Sequence, residues 1–208
     1  IREIARSILV DHTFRFPMWD MSIGFGQDFQ DAFSFRPINF LFALVPESGI
    51  EVFLLIRVIF YLYLCGLCFS LLIRRFRWDG YAGLVGSMVY TFCGYSLYYA
   101  CRHTFFMELM CYLPLLFLGI EHILEKKKPW LFLAVVALCG MSSFTFLYMI
   151  ILPAVVYACI RYFHMDRQRN VRDFAGCFLY TALIFVWGVG IAAICFVPGI
   201  IRLFNSAR

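Results

Sequence analysis

The chain has 208 residues, 63% of them hydrophobic and 15% charged, with a mean hydropathy of +0.82. Soluble domains carry about 45–50% apolar and about 25% charged residues, so this composition argues against a soluble globular enzyme and excludes a disordered chain or a nucleic-acid-binding module. The net charge of +5 is modest, and its distribution along the chain carries more information than its total.

Residues 1–51 read as an external loop. In IREIARSILVDH, Ile1, Ile4, Ala5, Ile8 and Leu9 share one helical face. That pattern suits a short amphipathic helix lying in the membrane interface, or equally a plain surface helix. No basic segment followed by an apolar core opens the chain, so no signal peptide is read here. The chain starts at Ile and is expected to be a piece of a longer multi-pass protein.

The rest of the loop, FRFPMWDMSIGFGQDFQDAFSFRPINFLFALVP, gathers Asp20, Asp28 and Asp31 with Trp19, Gly24, Gly26 and Arg36-Pro37. Gly24-Phe25-Gly26 is not a dinucleotide fingerprint, because the third glycine and the preceding strand are absent. Its glycines suit a tight turn presenting Gln27 and Asp28. Carboxylates beside a membrane can bind a divalent cation or take a proton from a hydroxyl nucleophile. They can equally be solvated loop acids.

A transmembrane bundle is predicted over 52–200. A helix needs about 20 apolar residues to cross a bilayer. The spans read as 52–73, 81–100, 105–124, 130–146, 147–163 and 174–197, about six in all, making an all-α polytopic membrane protein. The second is rich in small residues, which let helices approach closely. The run 130–163 is too long for one straight crossing, and Ser142-Ser143-Phe144-Thr145 at its middle suits a hairpin. Pro198-Gly199 is expected to end the last span, with 201–208 opening a further external segment. The nine cysteines lie nearly all inside apolar runs. Cys65 and Cys68 form a CxxC in mid-span, which favours packing over redox or zinc chemistry.

The stretches 74–77, 126–128 and 161–172 hold ten of the 18 lysines and arginines. Two crossings separate each from the next, so all three fall on one side. The positive-inside rule makes that side the cytoplasm and puts the N-terminal loop outside. Arg102-His103 then lies at the outer end, against the trend. Arginine grips phosphates bidentately, although interfacial snorkelling explains such a pair as well. Arg57, inside the first span, is a candidate by default, because intramembrane charges are costly. Glu108 at similar depth is a candidate partner, and Glu121 at the basic end needs no more than a topological role.

The chain resembles the YfhO family of bacterial membrane proteins, which belong with the GT-C-type glycosyltransferases. The resemblance lies in Trp19, in Ile23-Gly24-Phe25-Gly26-Gln27-Asp28-Phe29, in Arg36-Pro37-Ile38-Asn39-Phe40, and in Tyr95-Ser96-Leu97-Tyr98-Tyr99 followed by Arg102-His103-Thr104-Phe105. It continues through Leu113-Pro114-Leu115, Leu118-Gly119-Ile120-Glu121, Lys126-Lys127-Lys128-Pro129, Ser142-Ser143-Phe144 and Pro198-Gly199. The resemblance implies a GT-C-like fold and transfer of a sugar from a polyprenyl-phosphate carrier, on the outer face, to a cell-envelope polymer such as a teichoic acid. It also implies a main catalytic acid upstream of Ile1, leaving Asp28 and Asp20 as the acids present here. Arg102, His103, Arg57 and Trp19 would bind the lipid phosphate and substrate. The implied partners are the bilayer of the bacterial cytoplasmic membrane, the lipid-linked sugar and the polymer. The competing reading is a non-catalytic transporter or assembly subunit, which should show broken helices or midplane charges in symmetric halves.

Overall fold

The computed structural model describes residues 19–20, 27–28, 38, 41, 45–77, 80–164 and 171–206. The predicted helix at 1–12, the Gly24-Phe25-Gly26 turn and Arg36-Pro37 lie outside them. β1 (Trp19–Asp20) and β2 (Gln27–Asp28) form a two-residue antiparallel pair. Everything else described is helical or connecting.

After a 3₁₀ turn at Glu47–Gly49 come α1 (Ile50–Arg75), α2 (Gly80–Thr91) and α3 (Gly94–Arg102). A second 3₁₀ turn, Thr104–Phe106, leads into α4 (Met107–Leu124). Then follow α5 (Trp130–Ser142), α6 (Phe144–His164) and α7 (Val171–Ser206). Four stretches are long and apolar enough to cross a membrane: Ile50–Arg75, Thr104–Leu124, Thr145–His164 and Asp173–Ala193, with α5 a shorter apolar helix. The chain is a polytopic helical membrane protein.

Three expected spans differ in the structure: that at 130–146 is the 13-residue α5, short of a crossing, and two others differ at a break or an end. The stretch 81–100 is two helices, because the backbone turns extended at Cys93, the residue just before α3. Thr91, Gly94 and Ser96 are weak helix formers around that break. The apolar crossing stretch Asp173–Ala193 ends before Pro198-Gly199, but the helix does not stop there; α7 runs on to Ser206. Without water to compete for the backbone, a membrane helix tolerates proline. The apolar run 130–163 divides at Ser143, whose hydroxyl accepts the Thr145 N–H at 3.3 Å and so caps α6.

α4 is the central helix. It packs on α1, α5 and α6, and α5 in turn carries α7. The C-terminal ends of α1, α4 and α6 lie together. Arg75 pairs with Glu125, Lys127 Nζ is 2.8 Å from Glu125 Oε2, and the Arg161 guanidinium lies 4.9 Å from the Phe76 ring centre. The basic stretches that follow α1 and α4 therefore share one end of the bundle with the end of α6. At Lys126 the chain leaves α4 with φ 59°, while Lys126 N–H and Lys127 N–H return to the Ile123 and His122 carbonyls at 2.9 and 2.8 Å. This is a Schellman stop with lysine where glycine is usual.

Pro114 inside α4 has no N–H, which frees the Met110 carbonyl four residues earlier. Tyr90 of α2 fills the gap, donating its hydroxyl to that carbonyl at 2.8 Å, with its ring stacked on Phe69 at 4.4 Å. Tyr90→Phe is expected to lower stability by about 1–3 kcal/mol, the cost of a buried acceptor left without its donor. The check is thermal unfolding of the purified protein in both backgrounds. In a Pro114→Ala background, which restores the helical N–H, the loss should largely vanish. An equal loss in both backgrounds would contradict the pairing.

Candidate functional site

The end of the bundle away from the basic termini holds a buried polar cluster. Arg57 sits two turns into α1, about 10 Å along the helix, and is only 8% exposed. One turn later, the Tyr61 ring lies beneath the guanidinium, 5.7 Å from ring centre to Cζ. Tyr61 donates its hydroxyl to Glu108 Oε1 at 2.7 Å. Glu108 is 3% exposed and stands in the first turn of α4, where the helix dipole favours a carboxylate. Close by, Tyr112 and Ser142 share a hydroxyl hydrogen bond of 3.0 Å that ties α4 to the end of α5. Arg57 and Glu108 stand out in the sequence as charges inside apolar runs; the Tyr61 link between them does not. A carboxyl group bound to a phenol in a low-dielectric interior can hold or release a proton, and Arg57 supplies a cation one helical turn away.

Arg102 and His103 sit differently. Both are exposed, at the junction of α3 with the turn before α4. Arg102 lies over the Tyr98 ring at 6.0 Å, and His103 packs its ring against Phe105 at 5.6 Å. Tyr95, Tyr98, Tyr99 and Phe106 continue the aromatic surface, with ring centres 4.5–5.1 Å apart. Such a surface suits a membrane interface and leaves the guanidinium open to an anion.

Trp19, Asp20 and Asp28 are placed by backbone register alone. Trp19 pairs with Asp28 and Asp20 with Gln27. The two acids are thus not cross-strand partners. Among the described residues no group of three or more His, Cys, Asp or Glu is placed to hold a metal ion.

The CxxC faces inward. Cys65 and Cys68 are buried and free, Cys65 Sγ lies 3.5 Å from Cys111 Sγ, and it also reaches the Met107 carbonyl at 3.7 Å. These thiols pack α1 on α4.

A second polar cluster, at the basic end, has no counterpart in the sequence reading. Glu121 is wholly buried. Arg161 of α6 meets it bidentately, Nε to Oε1 at 2.5 Å and Nη2 to Oε2 at 2.9 Å, and the Tyr157 hydroxyl donates to Oε1 at 2.9 Å. The residue read as a topological marker is the anchor of α6 on α4. The only one-dimensional signal is an acid at the end of one apolar run and an arginine at the end of another, 40 residues apart.

The profile of the family described as "Bacterial membrane protein YfhO" matches residues 5–208. The chain is similar to "Uncharacterized protein YfhO" of Bacillus subtilis (strain 168), with 28% identity over 131 residues. The match covers 61% of this chain and 15% of that relative, so the chain spans a small part of its relative's length. No solved structure matches the chain.

Proposed function

Because the chain belongs to the YfhO family of bacterial membrane proteins, we propose that the full-length protein is a membrane glycosyltransferase. It takes a sugar from a polyprenyl-phosphate carrier and passes it to a cell-envelope polymer of the teichoic-acid kind. The basic end of the bundle faces the cytoplasm, by the positive-inside rule, and the N-terminal loop and the Arg102 end face outward. The observation that supports this reading most directly is the exposed Arg102-His103 pair beside α4's first turn, at the end opposite Lys127 and Arg75. Positive residues there run against the topological bias, and an arriving lipid phosphate gives them a use.

In this mechanism a carboxylate on the outer face takes the proton of the acceptor hydroxyl as it attacks the sugar carbon. The resemblance puts the main acid upstream of Ile1; Asp28 and Asp20 orient the acceptor, with Trp19 against the sugar. Arg102 and His103 stabilise the negative charge that grows on the departing lipid phosphate. Arg57, buried with Tyr61 and Glu108, adds positive potential from beneath.

Asp28→Asn and Arg102→Ala in the full-length protein are each expected to reduce sugar transfer by about tenfold or more, in line with the loss of a group that orients the acceptor or one that stabilises the leaving charge. Radiolabelled sugar followed from the lipid carrier into envelope polymer is the measurement, with protein abundance held equal. Normal transfer in both variants would remove the site assignment. The transporter or assembly reading has one observation in its favour, the broken α2–α3 helix. A wild-type protein that transfers no sugar, yet is required for polymer export, would establish it instead.

A further inference from the structure

α6 and α7 both pack against the rest of the bundle yet touch each other little along their length. They meet at the basic end, where the Phe174 ring lies 4.9 Å from Tyr162 and 5.3 Å from Phe163. Above that clamp they part and leave a slot of about 220 Å³, floored by Ile120 and Phe132 and walled by Ala154, Ala158, Cys177 and Ala182. Its rim residues Ile151, Phe178 and Val186 are exposed, so the slot opens at the side of the bundle. The Thr181 hydroxyl donates back to the Cys177 carbonyl at 2.9 Å and offers its proton to no guest. Such an apolar slot does not hold water, which needs two to four polar partners. It is narrow for a helix about 10 Å across, whereas a hydrocarbon chain is one methylene wide.

The end of the slot lies beside the basic turn. Leu124, which lines it, is two residues from Lys126, and Phe132 is four from Lys128. Both lysines are exposed. We propose that the slot between α6 and α7 seats one acyl chain of an anionic phospholipid, with the phosphate against Lys126 and Lys128. The chain enters laterally through the Ile151–Phe178 rim, in the leaflet on the basic side. This site is independent of the sugar-transfer reading, whose lipid phosphate arrives at the opposite end.

The test uses the full-length protein, purified in detergent, with added phosphatidylglycerol or phosphatidylcholine of identical acyl chains. Native mass spectrometry counts the bound lipid. Wild type is expected to hold phosphatidylglycerol in preference to phosphatidylcholine by about tenfold, the discrimination that separates one bound state from another by a single decade of affinity. Ala158→Phe, which fills the slot, should lose binding of both lipids. Lys126→Gln with Lys128→Gln should lose the preference while keeping phosphatidylcholine. Phosphatidylglycerol carrying a photoreactive group in its chain then labels the wild-type protein, a readout that does not depend on how a variant folds. Labels are expected on 151–162 and 174–186. Equal binding of the two lipids, unchanged binding by Ala158→Phe in a protein of wild-type thermal stability, or labels concentrated on α1 and α2 would each overturn the proposal. So would a further helix of the full-length chain crosslinking into the slot.

Discussion

Replacing Glu121 by alanine is expected to destabilise the protein by about 1–3 kcal/mol, the cost of donors left without their acceptor, the Arg161 side chain it leaves being about one-fifth exposed. Glu121 is wholly buried and accepts three hydrogen bonds, two from Arg161 and one from Tyr157. Its loss strands a guanidinium and a phenol at the α4–α6 contact. Arg161→Ala should cost more, about 3–5 kcal/mol, since it leaves the wholly buried Glu121 carboxylate without its ion-pair partner. The two changes are not independent. A Glu121→Leu, Arg161→Met double variant fills the same volume with apolar atoms and should recover most of the loss, as buried pairs replaced whole by hydrophobic residues often are neutral. Thermal unfolding of the full-length protein in one detergent, across the two single variants and the double, gives the coupling directly. Additive losses would mean that the pair does not hold α6 to α4.

Glu121 also shows where the sequence stops being informative. Apolar runs of about 20 residues fix the helices, because a bilayer imposes that length on any crossing. The split at Ser143 is legible for a related reason: a run of 34 residues cannot cross once, and the serines at its centre can cap a new helix. What escapes is anything set by three-dimensional neighbours. Glu121, followed by His122 and three lysines a few residues on, looks like part of a polar boundary. Its burial depends on α6 returning beside α4, and no periodicity in α4 reveals that return. Arg57 and Glu108 were visible as charges within apolar runs, yet Tyr61, which joins them, is one of 12 tyrosines in the chain and carries no mark. The break at Cys93 and the run of α7 through Pro198 fail for a local reason. Helix-breaking rules come from water-exposed chains, and a lipid environment weakens proline's penalty more than it weakens a Gly–Ser–Thr cluster's preference to turn.

Glycine gives the clearest separation of the two effects, and the second large expected result. A β-carbon on Gly119 would lie 2.9 Å from the Phe132 N, Cα and Cβ, so the α4–α5 contact is backbone against backbone. On α7, a β-carbon at Gly188 would meet Val136 at 2.8 Å. Gly190, one turn's fraction along the same helix, and Gly176 have nothing within 4 Å. Alanine in an open helical position gains about 0.5–1 kcal/mol over glycine. Forcing a methyl into a packed contact costs about 1–3 kcal/mol, and more where backbone must move. The signs therefore divide. Gly119→Ala and Gly188→Ala should lower thermal stability. Gly190→Ala and Gly176→Ala should leave it level or raise it. Gly119→Val should go further and separate α4 from α5 altogether, because a branched side chain cannot rotate away from a main chain. A Gly119→Val protein that unfolds at the wild-type temperature would mean that α4 and α5 do not approach this closely. Loss at Gly190 as large as at Gly188 would mean instead that α7 is sensitive along its whole length, and that its seat on α5 does not depend on the small residue at the crossing.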